Sequence, residues 1–392
     1  MSFGSIYIGL SGLAAYSKGL KIVSNNISNM NTLGYKSSGV SFGDVYGLGS
    51  SGGLDYGSYS GGGHGVSVND VAINFTQGEL RQTGRDLDLS IDGNGFFVLL
   101  DGENTLYTRT GSFVVADDGH IVLQGTEYRL AVLDAAGRPV ALNIDAHRTD
   151  PPEETDRIKF ADNLSSTATS LNLPDVKVFD VEGEEHVWTV QFTRPETVAG
   201  EWTVTVTGKD GAEIGVQTLK FIGSGVDPTT RELMFEDAAN GLSVTFEFGS
   251  NVTSFSSGTV SSLRAAEVAG HPTGSIATLR VNQEGRIEIA YTNEEKKELG
   301  AIALADFRDP QSLKQRSKAL FAFTGFGQRQ LLAASDTRVG AILGGQLEAS
   351  NVDLGSQFGD LILIQRGFQA SSQVISVSND MIQQLFGIRG QG

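Results

Sequence analysis

The two ends of this 392-residue chain carry the same seven-residue repeat, and little between them is helical in pattern. Near the C-terminus one line of the repeat holds Leu354, Leu361, Phe368, Ile375 and Ile382. The line four residues later holds Phe358, Gln365, Ser372, Asn379 and Phe386. Near the N-terminus Ile6, Leu13, Leu20 and Ile27 are spaced by seven, with Leu10, Ser17, Ser24 and Asn31 four residues later. A narrow apolar line cannot hold a lone helix in water, so each end is expected to be an amphipathic helix lying against a partner. The simplest partner is the other end of the same chain. Small and polar residues on the second line predict close helix packing, and Ile8, Val23, Ile364, Val374, Met381 and Ile388 are left as apolar flanks suited to contacts between subunits.

The middle reads as β. Trp188, Val190 and Phe192 alternate with polar residues, as do Trp202, Val204 and Val206, and Leu242, Val244, Phe246 and Phe248. Period-two alternation predicts antiparallel strands with one wet face. Asp101-Gly102, Asp118-Gly119, Glu182-Gly183, Asp210-Gly211 and Asn240-Gly241 supply hairpin turns. The fold class expected is mainly β, with paired N- and C-terminal helices and two antiparallel β domains.

Charge sharpens the division. The chain has a formal net charge of −17, and residues 151–283 hold 19 acidic against 9 basic residues. Pro151-Pro152 and Pro272 bracket this segment as an inserted outer β domain, 149–275. The plan is nested: a terminal helical domain from 1–34 and 350–392, a Gly/Ser-rich linker over 35–65, an inner β domain from 66–148 and 276–349, and the outer domain from one segment. An acidic background without a Lys/Arg cluster argues against nucleic-acid binding. No run approaches the length of a membrane span, and Lys18 and Lys21 follow the N-terminal apolar stretch instead of preceding it, unlike a secretory leader.

Chemistry finds little support. Gly47-Leu48-Gly49-Ser50-Ser51-Gly52 matches a dinucleotide fingerprint but lacks the flanking strand and helix. His64, His120, His147, His186 and His271 are scattered without ligand spacing, there is no cysteine, and no nucleophile elbow occurs. Asp86, Asp88 and Asp92 alternate and could share one face, but no base or orienting group converges on them. No catalytic, cofactor or metal site is expected. The chain reads as a subunit of an ordered assembly, with a secreted β-rich adhesin as the rival from another class.

Three stretches carry a resemblance. GLSGLAAYSKGLKIVSNNISNMNTLGYKSSGVSF resembles the start of the flagellar rod and hook axial protein family through Asn25, Asn26, Asn29, Asn31, Thr32, Gly34, Tyr35 and Lys36. LEASNVDLGSQFGDLILIQRGFQASSQ is similar to its closing motif through Asn351, Val352, Asp353, Leu354, Gln365, Arg366 and Gln369, and QGELRQTGRDLDLSIDGNGFFVL with YTRTGSF to its inner strands. The acidic insertion and YTNEEKKELGAIALADFRDPQSL resemble the hook branch, and the distal rod is the nearer alternative. The resemblance implies a homopolymer forming a curved, flexible tube that passes motor torque to the filament. It also implies delivery by the flagellar type III export apparatus, and distal rod, hook cap and hook-filament junction proteins as neighbours.

Overall fold

A computed structural model describes residues 2–44, 65–102, 104–195, 200–325, 328–334 and 336–389. The fingerprint-like Gly47–Gly52 stretch, His64 and the Ile388 side chain lie outside the described residues. Two long helices stand at the ends, α1 (Ser2–Ser28) and α2 (Leu354–Arg389), and the strands lie between them. Among the described residues no helix is long and apolar enough to cross a membrane. The chain falls into two compact units.

The first unit takes Met1–Asp145, Leu279–Glu288 and Glu298–Gly392. It contains both helices and a sheet in which Arg129–Leu133, Phe96–Asp101, Asn104–Thr108, Leu320–Phe323 and Leu313–Gln315 follow one another. Phe96, Tyr107, Phe307 and Phe321 fill its core, with edge-to-face pairs such as Tyr107–Phe307 at 4.8 Å between ring centres. Such pairs add about 0.5–1.5 kcal/mol beyond their area burial. Ser38–Asp44 pairs with Val66–Ile73 as a two-stranded ribbon, so the early part of the expected linker is a strand. Its Gly/Ser content hid the alternation; Phe42 packs against Tyr16 of α1 at 5.2 Å.

The second unit takes Ala146–Thr278 and Ile289–Lys297, the latter a segment that the charge-based plan placed with the inner β domain. Three of its strands, Glu185–Thr193, Glu201–Gly208 and Leu242–Thr253, are those that the alternation predicts. Trp188, Val190, Phe192, Trp202, Val204, Val206, Leu242, Val244, Phe246 and Phe248 are all buried in one core. The turn glycines Gly211 and Gly241 take φ of 77° and 69°, a left-handed conformation open to glycine at no steric cost. One pairing departs from the antiparallel expectation: Arg157–Asn163 runs parallel to Leu242–Thr253. The hairpin-scale turn signals do not report on partners so far apart in sequence.

Candidate assembly surface and its anchor

α1 and α2 pack along a line of small residues. On α1 the buried positions are Gly9, Gly12, Ala15, Gly19, Val23 and Asn26. A Cβ on Gly9 would come within 2.6 Å of Ile375 Cγ1, one on Gly12 would collide with the Ser371 hydroxyl, and one on Gly19 would stand 3.2 Å from Ile364 Cδ1. On α2, Gly367 receives the Tyr16 ring at a distance that leaves no room for a Cβ. The helix backbones therefore approach closely, and the contact is built from shape more than from buried apolar area.

This changes the expected register. On the apolar line of α2 Leu354, Leu361, Ile375 and Ile382 are half-buried and Phe368 is exposed; the fully buried positions, Ile364 and Ser378, lie three residues on, not four, on a line with half-buried Gln357 and Ser371. Gln365, Ser372 and Asn379 face solvent, as do Ser24 and Asn31, while Ser17 is half-buried. Val23 and Ile364, expected on the free flanks, are buried in the pair. Helical periods of 3.6 place i+3 and i+4 on either side of a line, and apolarity alone cannot choose between them when glycine and serine are the buried residues.

What remains exposed is large. Leu10 is 53% exposed, Leu363 68% and Phe386 69%, with Tyr7, Ile8, Leu20, Phe358, Ile362, Phe368, Val374, Val377 and Met381 also open. Ile6, Leu13 and Ile27 are half-buried. A monomeric soluble protein rarely leaves so many large apolar side chains on one helix pair.

The motif residues converge at the base of the helices. Asn26 has all four hydrogen-bonding positions filled: its amide donates to Ser38 O and Gln357 Oε1, both 2.8 Å, and its oxygen accepts from Ser38 N and the Tyr35 hydroxyl. Asn25 donates to the same Tyr35 oxygen at 3.0 Å, and burial pushes the phenol pKa up. Asn29 accepts from Thr32 Oγ1 at 3.0 Å. Gly34, at φ 64°, gives its N–H to Glu348 O at 2.8 Å, and a Cβ there would sit 2.7 Å from Thr110 N. Only glycine fits that approach. Asn351 accepts from Ser37 N and donates to the carbonyls of Asn74 and Thr76, Val352 N–H meets Ser350 Oγ at 3.3 Å, and Asp353 accepts from Ser356 N at 2.7 Å as the N-cap of α2. That bond holds the Asp353 carboxyl below its ordinary pKa. Gln365, Arg366 and Gln369 stand apart from this cluster, exposed on α2.

Lys36 leads into a feature that sequence reasoning missed. Its ammonium lies 2.6 Å from Glu348 Oε1 and 2.7 Å from Thr76 O, and it is 1% exposed. Arg109, equally buried, brings Nε within 3.1 Å of Glu348 Oε2 at an angle too poor for a hydrogen bond, so that contact is a charge pair. Its other nitrogens donate to Gly93 O and Gly95 O. Burial, with the Arg109 charge beside it, lowers the Lys36 pKa against the pull of Glu348, and burial likewise lowers that of Arg109. Two cations thus share one carboxylate, joining the segment after α1, the strand before α2 and the inner sheet. Both missed residues stood inside quoted motifs, Arg109 in YTRTGSF and Glu348 in LEASNVDL, but isolated charges in a sequence read as surface.

The remaining candidates do not assemble. Asp88 is buried beside Arg85 at 3.7 Å, while Asp86 and Asp92 are exposed, so the three carboxylates do not share a face. His120, His186 and His271 each meet a neighbouring aspartate, and burial pushes the pKa of His147 down. Among the described residues no group of three or more His, Asp or Glu could hold a metal ion.

Comparison with known proteins agrees along the whole chain. Family models match in sequence order: flagella basal body rod protein at 6–36, flagellar hook protein FlgE/F/G D1 domain at 90–162, flagellar basal body protein FlaE D2 domain at 143–330, and flagellar basal body rod FlgEFG protein C-terminal at 343–388. The flagellar hook protein FlgE of Escherichia coli K12 is 30% identical, the alignment covering 97% of this chain and 98% of that one. That of Borreliella burgdorferi is 27% identical over 98% and 99%. A solved structure of Helicobacter pylori flagellar hook protein FlgE2 shares the fold, with a TM-score of 0.50 at 12% identity over 69% of this chain and 100% of that one. With a 30% identical relative aligned from end to end, the chain belongs to the flagellar hook protein FlgE family.

Proposed function

We propose that this chain is the structural subunit of a bacterial flagellar hook, polymerising into a curved, flexible tube that works as a universal joint between motor and filament. The observation that carries this is the two-sided helix pair: small residues face inward, and among the described residues a dozen large apolar side chains of the two helices are exposed. Only further copies at high local density would cover such a surface.

Mechanically, the helical domain (1–34 with 350–392) supplies the dense wall of the tube through Leu10, Leu20, Phe358, Phe368 and Phe386. The inner β domain (66–148 with 276–349) is rooted in that wall by the Asn26 cluster and the Lys36–Glu348–Arg109 triad, the segment 35–65 connecting the two. The outer domain (149–275), which holds most of the negative charge, makes the weaker contacts that let each row of subunits lengthen and shorten as a bent tube turns. The role is structural and not enzymatic. Its neighbours would be other copies, then the distal rod, hook cap and hook-filament junction proteins, and it would reach the cell exterior through the flagellar type III export apparatus.

Negative-stain microscopy of polymer grown from the purified chain tests the reading. Curved tubes are expected. Straight, stiff rods would favour a distal rod protein, and a chain that stays monomeric at high concentration would overturn the assignment.

A further inference from the structure

The chain holds two Asn-Gly steps, Asn94-Gly95 and Asn240-Gly241, and the fold treats them in opposite ways. Glycine carries no side chain to shield its own nitrogen, so an asparagine before it is the one most easily attacked by the backbone. At the first step that nitrogen is taken. Gly95 is buried and its N–H donates to Val339 O at 2.9 Å, while Arg109 donates to Gly95 O and Gly93 O. A Cβ on Gly95 would stand 2.9 Å from Val339 Cβ, so the backbone there has no space in which to turn. At the second step the nitrogen is free. Gly241 is exposed, a Cβ on it would meet no atom within 4 Å, and among the described residues no group accepts from its N–H. Asn240 is equally exposed, in the turn between Glu232–Asp237 and Leu242–Thr253.

We propose that Asn240 is a self-modification site, converting in the folded chain to aspartate and to β-linked isoaspartate, and that Asn94 is protected. The Gly241 nitrogen bonds to Asn240 Cγ and gives its proton to water, the Cγ–Nδ2 bond breaks, and ammonia leaves with a proton taken back from water. One water molecule then opens the cyclic imide at either carbonyl, which yields the two acids. No enzyme, oxidant or cofactor enters. The nitrogen must reach Cγ, and an exposed turn whose glycine is unbonded samples that approach where a pinned backbone does not. The side chain of Asn240 is restrained by one bond, from Nδ2 to Asp237 Oδ2 at 2.8 Å, a contact of modest net strength. That bond also makes the product matter. Asp237 closes the turn by accepting from Ala239 N at 3.1 Å as well, and conversion sets a second carboxylate against it where a donor stood. The β-linked product further lengthens the backbone of the turn. The strands it joins bury Leu233, Phe235, Val244 and Phe246 in the core of the second unit. Age therefore loosens that unit at one corner, irreversibly, and adds to its negative charge.

The full-length chain is incubated at mildly alkaline pH, folded and in parallel in concentrated urea, and peptides spanning both steps are followed by mass spectrometry. Isoaspartate is detected with an isoaspartyl methyltransferase. In the folded chain position 240 is expected to gain the acid forms several-fold faster than position 94, and in urea the two rates should converge. Equal rates in the folded chain, or conversion at 240 that appears only in urea, would overturn the site. Aged samples are then unfolded beside an Asn240→Gln chain aged in the same way, since the longer glutamine side chain closes its ring far more slowly. A lower unfolding midpoint of the second unit is expected in the aged unaltered chain alone. Equal midpoints with position 240 converted would overturn the loosening.

Discussion

The second unit and the helix pair are cores of opposite kind. In the second unit Trp188, Trp202, Phe192, Phe246 and Phe248 are sealed inside and the polar residues of the same strands face out. In the helix pair Gly9, Gly12, Gly19 and Ser378 are inside, while Leu10, Leu363 and Phe386 are outside. The first arrangement buries large apolar areas within one chain, at about 25 cal/mol per Å², and is complete when the chain folds. The second brings two backbones together and leaves large apolar side chains exposed, a surface that the proposed function covers on association. A single polypeptide can thus carry one region that is finished and one that waits for neighbours.

Single substitutions can act on one region and spare the other. Trp188→Ala in the finished core should cost about 3–5 kcal/mol, the range for emptying a buried aromatic site, and should lower the unfolding midpoint of the second unit while the first unit keeps its own. Glu348→Ala should cost the first unit a similar amount, about 3–5 kcal/mol, because it strands two buried cations; denaturation followed at both units should show the reverse pattern. Gly12→Leu should cost about 1–3 kcal/mol through overpacking against Ser371, read as loss of helical circular dichroism with the β signal retained.

A smaller effect is expected on the acid side. The Asp353 carboxyl is held below its ordinary pKa by the N–H of Ser356 at the start of α2. A depressed pKa contributes stability that is present above the unfolded-state value, about 3.9, and is lost as pH falls through the folded-state value. Helix content should therefore decline in acid, and Asp353→Asn, which can still cap, should flatten that decline.

Legibility in the sequence followed the same contrast. Three strands of the second unit, Glu185–Thr193, Glu201–Gly208 and Leu242–Thr253, could be read because period-two alternation of large apolar side chains is a strong signal and a Glu-Gly, Asp-Gly or Asn-Gly turn marks one end of each, whereas strands such as Arg157–Asn163 and Arg264–Val268 carry no such signal. The helices could be read as helices, but the line through which they pair could not. Hydropathy finds where apolar residues lie, and here they lie beside the contact while glycine and serine form it. The strand Ser38–Asp44 was hidden by its own Gly/Ser content. The triad was hidden by separation, since Lys36 and Glu348 are 312 residues apart and nothing local tells a buried charge from a solvated one. Gly34 and Asn26 stood in the quoted motif, and the structure supplies their reasons: a left-handed turn against Thr110, and a fully satisfied buried amide.

On the proposed function, the face of the helices turned away from their mutual contact holds the polymer together without holding the chain together. Leu363→Asp, followed by sedimentation and circular dichroism of the same sample, separates these two roles. The expected product is a folded monomer, with unfolding free energy within about 0.5 kcal/mol of the unaltered chain, that sediments as a single small species where the unaltered chain forms tubes. Tubes of normal number and length from the Leu363→Asp chain would contradict it.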